Sequence, residues 1–511
     1  MIRALFLCLL SIGTSLAAID MPSFFSDGMV LQRELNAPVW GWADAGTEIT
    51  VDFNGQKLTT KADENGKWRV VLQGLKASDK GTTLTVTSGN EKKEIQNVLV
   101  GEVWLASGQS NMEWPVARTN DGDAAKQRND QALRVYLTRN VVSAEPLRDF
   151  PGVWTSSEPG KTEKFTAVGY QFARRLREEL QVPVGIIECA WGGKPIQAFM
   201  SPEALQKLPV GQSFLEKRKQ AFAEFDPDKL KEERAKLTAE HEKKMAEWEA
   251  DKEGKKKPMR LRLPVAPQEN SALATNIFNG MISPLAGYGA RGAIWYQGEA
   301  NANRWVATHY AELQAGMIAD WRTRWGSDLS FYYVQLANYR KPSDKPGVHD
   351  DWAQVQDEQR QMLGMIDKVG MAVINDIGEE GDIHPLNKKD VGARLARWAL
   401  NRDYGKTDIV VSGPLYSGVT FSDGKAVVSF DFAEGLKTRD GKPLQRVEIA
   451  GEDGVWHWAD SKIEDNKLVA WSEDVKTPKK VRYAWSSNPV GATLINAEGL
   501  PASCFTSEAN Q

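Results

Sequence analysis

Residues 98–105 form a nearly continuous apolar run, broken by Gly101 and Glu102, that stops abruptly in Ala106-Ser107-Gly108-Gln109-Ser110-Asn111. A strand apolar toward both faces is the pattern of a central parallel strand covered by helices. Small and polar residues directly after it fall where an open α/β sheet presents its ligand crevice, at the carboxyl ends of the strands. A tight turn beside Gly108 can expose a hydroxyl there, which makes Ser110 a candidate nucleophile. The same four residues, Gly-Gln-Ser-Asn, are also ordinary turn chemistry. The Gly-x-Ser-x-Gly elbow is absent, because Met112 stands where its second glycine belongs, so the stretch is not an ordinary α/β-hydrolase signal.

Four further apolar runs end in the same way, beginning at Val182, Gly292, Leu329 and Met371. Helical patterns lie between or after them, over 168–180, 310–325, 352–363 and 388–400. Strands alternating with helices predict an α/β fold with a doubly wound parallel sheet. The long spans between the first three runs require insertions. One is visible at 216–257, where interleaved Lys and Glu suit an exposed charged helix better than a basic binding patch.

The flanks have a different rhythm. Short strand patterns separated by Asn54-Gly55, Asn65-Gly66 and Gly89-Asn90 occupy the N-terminal part. Residues 405 to about 507 return to that character, with Asp423-Gly424, Asp440-Gly441 and Asp453-Gly454 as hairpin turns. The expected layout is a β-sandwich-like domain over 19–97, the α/β domain over 98–404 and a second β-domain over 405–511. Residues 1–18 read as a secretory signal peptide, so the mature chain is expected to be exported, periplasmic or secreted, with no membrane insertion after cleavage. Beyond Cys8 in that leader only Cys189 and Cys504 remain, expected as free buried thiols. A formal net charge of −4 gives no electrostatic reason to expect nucleic acid as a partner. Eighteen tryptophans point weakly toward sugar stacking.

Serine attack on a carbonyl needs a base, a group that orients the base, and donors for the oxyanion. The chain has five histidines, and only His384 follows the last predicted strand, at the sheet edge expected for Ser110. Asp382 could orient it, with Asp376 and Glu379 as competitors. Oxyanion donors could be the Ser110 amide, a backbone amide of Gly192 or Gly193, and a side-chain amide of Gln297 or Asn301. Glu299 is either a structural hydrogen-bonding group or a substrate contact.

These residues carry a resemblance. Gly101-Glu-Val-Trp-Leu-Ala-Ser-Gly-Gln-Ser-Asn-Met, Trp191-Gly-Gly, Trp295-Tyr-Gln-Gly-Glu-Ala-Asn and Asp382-Ile-His-Pro-Leu-Asn-Lys resemble, in order, motifs of the sialate O-acetylesterases and of SGNH-type carbohydrate esterases, and with Phe25-Ser-Asp-Gly-Met-Val-Leu-Gln-Arg and Gly499-Leu-Pro-Ala the resemblance covers nearly the full mature chain. The resemblance implies an SGNH or flavodoxin-like catalytic domain, Ser110 as nucleophile and His384 as base. It also implies an oxyanion site drawn from Gly192 or Gly193 and Gln297 or Asn301. SGNH enzymes commonly place the acid three residues before the histidine, and here that position is Gly381. No metal or organic cofactor is implied. The expected function is hydrolysis of O-acetyl esters on a sugar or glycan, sialic acid first, through an acetyl-serine. The rivals are an acetyl-xylan or other polysaccharide deacetylase, a non-catalytic carbohydrate-binding protein, and a glycosidase using Glu299 with Asp382.

Overall fold

The computed structural model describes residues 19–508; the predicted leader and its Cys8 lie outside the described residues. The centre is a sheet of strands β1 (Glu91–Gly108), β2 (Asp130–Thr138), β3 (Gly152–Ser157), β4 (Val184–Ala190), β5 (Gly292–Tyr296), β6 (Ser330–Val334) and β7 (Val369–Ala372). Their spatial order is β7-β6-β5-β1-β4-β2-β3. Every neighbouring pair is parallel except β2 with β3. The five runs expected from sequence are β1, β4, β5, β6 and β7. Taken alone they lie in the order second, first, third, fourth, fifth, which is the flavodoxin-like arrangement. β1 is thus the switch point, with later strands laid down on both of its sides.

The sixth parallel strand, β2, is not apparent in the sequence. Arg134 interrupts its apolar run, yet Arg134 is buried. Its guanidinium donates to the carbonyls of Gly28 and Asn97, at 2.7 Å each. The interruption of β1 at Glu102 has the same kind of explanation. Burial pushes that carboxyl upward, but Arg291 and Arg33 outweigh it and hold the pKa below the usual range, with contacts at 3.0 and 2.6 Å. Charges inside strands survive only when paired in this way.

Helices α1 (Ala167–Leu180), α2 (Pro227–Ala250), α3 (Tyr310–Trp325), α4 (Asp351–Gln361) and α5 (Lys388–Arg402) occupy the predicted places. α1 and α5 pack closely: a Cβ on Gly392 would meet the Phe172 nitrogen at 2.7 Å. Trp104 of β1 packs on Phe172 of α1 and Tyr332 of β6, with ring centroids 5.0 and 5.7 Å apart. Each such fully buried aromatic stabilises the sheet by roughly 2–3 kcal/mol. α2, inside the charged insertion, buries no residue.

The N-terminal region is joined to this sheet more intimately than the change of pattern at residue 98 suggests. β1 runs unbroken through that point. Its first half pairs antiparallel with Ser78–Ser88 and its second half parallel with β4 and β5. The polar alternation of Lys92 to Gln96 gives way to burial on both faces from Val98 onward. The pattern changes while the backbone continues. One hydrophobic core runs from Ile19 to Leu415, and a second is built almost wholly from residues 426–505. Asn54-Gly55 and Asp423-Gly424 form hairpin turns with positive φ at both positions, which matches the right-handed twist of the strands they join, and Asp453-Gly454 also joins a paired couple of strands. Asp440-Gly441 does not form the expected hairpin, because Lys437–Thr438 before it pairs with the distant Leu494–Ile495. Cys189 and Cys504 are free and buried. Among the described residues no helix is long and apolar enough to cross a membrane.

Candidate active site

β1 ends against β5 at a position only glycine can fill. Gly108 has φ +134°, and a Cβ there would lie 2.2 Å from the Tyr296 carbonyl oxygen. The next amide, of Gln109, donates to that same oxygen at 2.9 Å. The chain then turns sharply into the short helical turn Ser110–Glu113, with the Met112 and Glu113 amides donating back to the Gln109 carbonyl at 2.9 and 3.0 Å. Thr166 fastens this turn from outside. Its hydroxyl donates to the Met112 carbonyl at 2.5 Å while accepting the Gly169 amide at the start of α1. Ser110 is therefore held at the carboxyl end of the central strand, partly exposed, with its amide in a first turn that offers no intrahelical acceptor.

The imidazole of His384 meets it there. Nε2 lies 2.8 Å from the Ser110 Oγ, across 274 positions of chain. Acceptance of the serine proton by Nε2 assigns the ring proton to Nδ1. The ring stacks on Trp114 with centroids 4.4 Å apart and planes at 14°. Burial lowers the pKa of His384 below its ordinary value. Lys388 and Arg118 push it the same way, against an opposing pull from Asp382. The imidazole is thereby kept neutral near pH 7. The described contacts of three other histidines lie elsewhere: His349 on Asp351, His457 near Asp474 and His309 near Glu312. His241 lies on α2.

The three candidate acids separate clearly. Asp376 is gripped at both oxygens by Arg394, at 2.6 and 2.9 Å, and also by Arg439. Glu379 accepts the Leu386 amide at 3.2 Å. Asp382 accepts the His384 backbone amide at 2.8 Å, and the same oxygen lies 3.6 Å from Nδ1. That second separation is an electrostatic contact rather than a hydrogen bond.

The floor of the site is a buried amide network. Gln297 Nε2 donates to the Asn301 Oδ1 at 2.6 Å and to the Gln109 Oε1 at 3.2 Å, while its Oε1 accepts the Tyr310 hydroxyl at 2.7 Å. Asn301 Oδ1 also accepts the Ile196 amide, and its Nδ2 donates to Gln197. Both expected side-chain donors are thus engaged in holding the β4 and β5 loops together. The Gly192 amide donates to the Glu113 carboxylate at 2.7 Å. A Cβ on Gly192 would sit 3.2 Å from that of Ser110, so the Trp191-Gly-Gly turn packs directly on the serine. Gly193, at φ +69°, has open space on its Cβ side.

Glu299 keeps a little surface, but its carboxylate is buried. Its Oε1 accepts Asn111 Nδ2 at 2.7 Å, and burial raises its pKa. A carboxylate held in this way is a poor partner for Asp382 in a two-carboxylate glycosidase site, which needs both groups facing a sugar. Three participants are not apparent in the sequence: Trp114, Glu113 and Lys388. Trp114 and Glu113 directly follow the nucleophile motif, and Lys388 ends the histidine motif. A buried lysine is too rare to be expected from sequence.

The family described as carbohydrate esterase, sialic acid-specific acetylesterase, matches residues 100–226. A sialate O-acetylesterase of Rattus norvegicus is 28% identical, over 95% of this chain and 93% of its own length. That of Homo sapiens is 25% identical, over 91% and 87%. The crystal structure of a carbohydrate acetylesterase from Xanthomonas citri is 36% identical and superimposes with a TM-score of 0.80, covering 96% of this chain and 100% of that one.

Proposed function

The chain belongs to the carbohydrate esterases of the sialic acid-specific acetylesterase family and is a carboxylic ester hydrolase; from that premise we propose that it removes O-acetyl groups from sugars through an acetyl-serine intermediate. The observation that carries the mechanism is the 2.8 Å contact between the Ser110 Oγ and the His384 Nε2. Ser110 attacks the acetyl carbonyl carbon as His384 takes its proton. The tetrahedral adduct collapses, and His384 returns the proton to the departing sugar hydroxyl. Water, deprotonated by the same imidazole, then releases acetate and restores the serine.

Asp382 is the orienting acid in this scheme. It holds the loop through the His384 amide and stabilises the imidazolium across 3.6 Å. The developing oxyanion is met by main-chain amides, those of Ser110 and Gly193, neither of which has an acceptor among the described residues. Gly192, Gln297 and Asn301 support this arrangement, each with a donor engaged inside the protein. Only acyl transfer by an activated serine is required, so the scheme calls for no metal or organic cofactor.

The first substrate is O-acetylated sialic acid. Arg118 supports it: this exposed guanidinium lies over Trp114 at 4.4 Å and has no ion pair among the described residues, so it can meet a sugar carboxylate. The second reading is acetyl-xylan or another polysaccharide; the relative at 36% identity is described only as a carbohydrate acetylesterase, a term that covers both readings. The leader-like residues 1–18 support an exported enzyme. Acetate release from acetylated sialic acid and acetylated xylan, by the wild type and by Ser110→Ala, tests both levels. Loss on every substrate in the variant is expected. Retained release would end the assignment, and a wild type active only on xylan would select the second reading.

A further inference from the structure

The position of Lys388 runs against two ordinary rules. It is 1% exposed, and it opens α5, where the helix dipole disfavours a cation. Its Nζ donates to the Asn111 Oδ1 and lies 5.5 Å over the Tyr296 ring. The other end of the Asn111 amide donates twice, to the Glu299 Oε1 at 2.7 Å and to the Ile383 carbonyl at 2.9 Å. Asn111 directly follows Ser110, and Ile383 directly precedes His384. One amide therefore ties the neighbour of the nucleophile to the neighbour of the base. An amine on its oxygen and a carboxyl group on its nitrogen fix which way that amide faces; burial lowers the Lys388 pKa to about 7, so the amine carries its charge on the acid side of neutrality.

We propose that Lys388, Asn111 and Glu299 form a positioning clamp that sets the register between Ser110 and His384. The inference rests on the assignment of that pair as nucleophile and base. A buried cation and carboxylate add little net stability once their desolvation is counted, and apolar or neutral replacements of such pairs are often tolerated. Misplacing reacting groups by about 1 Å, in contrast, can cost on the order of 100-fold in rate. The clamp also has an electrostatic signature. The charged groups bearing on His384 are Lys388, Asp382 and Arg118, and those bearing on Lys388 are Glu299, Asp382 and Glu379. Lys388 lowers the His384 pKa, so removing its charge moves the acid limb of kcat/KM to higher pH.

Three variants test this on a chromogenic acetate ester: Lys388→Met, the double variant Lys388→Met with Glu299→Gln, and Asn111→Ala. The double variant leaves no uncompensated buried charge and so keeps the test readable if the single one fails to fold. A loss in kcat on the order of 10- to 100-fold per folded molecule is expected in all three. KM should be little changed, and the acid limb should move upward in the two that lack Lys388. Full kcat per folded molecule, or an acid limb unmoved in the folded double variant, overturns the clamp. Ser110→Ala in parallel keeps the two levels distinct. Activity surviving in that variant removes the parent assignment, whereas its loss alongside full activity in the clamp variants removes the clamp alone.

Discussion

The nucleophile turn and the base loop meet at one hydrogen bond but are held by different means. Ser110 follows the central strand of the sheet, and from Gln109 to Met112 it is the one residue that is not buried. Backbone dictates its place: a glycine pressed on Tyr296, amides returning to Gln109, and Thr166 clasping Met112. His384 rides on a partly exposed loop, Ile377 to Asn387, which has main-chain bonds from Arg340 to Glu380 and from Asn120 to Leu386 and is otherwise held by side chains reaching it from elsewhere. Asn338 accepts the Gly378 amide, Arg394 and Arg439 grip Asp376, and Asn111 holds the Ile383 carbonyl. One half of the site is part of the fold, and the other is tethered to it. Damage to the backbone of the first should cost the protein, whereas damage to the tethers of the second should cost only the reaction.

The largest effect expected is that of Ser110→Ala, which removes the attacking oxygen without disturbing the strand. Acetate release should fall by roughly 10³-fold or more while thermal stability stays near that of the wild type. Gly108→Ala breaks the rigid half itself. A Cβ 2.2 Å from the Tyr296 oxygen forces β1 and β5 apart, so the melting temperature should drop with activity; a stable, active variant would refute the close approach. Arg394→Leu loosens the tethered half by leaving Asp376 to Arg439 alone. Activity should fall by about tenfold at nearly unchanged melting temperature, and equal losses in both would erase the contrast between the two regions.

Asp382→Asn sharpens the comparison from the side of the acid. A hydrogen-bonded triad acid is worth about 10⁴ in kcat, but a carboxylate 3.6 Å from Nδ1 should be worth much less, about 10- to 100-fold. The smallest effect concerns pH. The His384 pKa is lowered and the base must be neutral, so the acid limb of kcat/KM should be centred below pH 6.5. A limb centred above pH 6.5 would contradict the burial of that ring.

Much of this is legible in the sequence, for physical reasons. Apolar runs that stop in small polar residues mark five of the six parallel strands, because a parallel strand covered on both faces is apolar along its length and ends at the sheet's crevice. Ser110 and His384 are legible as a pair because both leave the carboxyl ends of such strands. The choice among Asp376, Glu379 and Asp382 is not, since it rests on Arg394 and Arg439 arriving from distant segments. The oxyanion side chains are not legible either. Gln297 and Asn301 have the right chemistry, but the Gln109 and Tyr310 groups that engage Gln297, and the Ile196 and Gln197 groups that engage Asn301, lie elsewhere in the sequence. The polar start of β1 hides its continuity with the N-terminal strands.

The central claim is that His384 activates Ser110. Labelling with a serine-directed fluorophosphonate, followed by peptide mapping, examines it without any choice of sugar. The account predicts a single modified residue, Ser110, whose labelling rate collapses in His384→Ala and falls with the acid limb as pH is lowered. Labelling at another serine, or at Ser110 with an unchanged rate in His384→Ala, would contradict it.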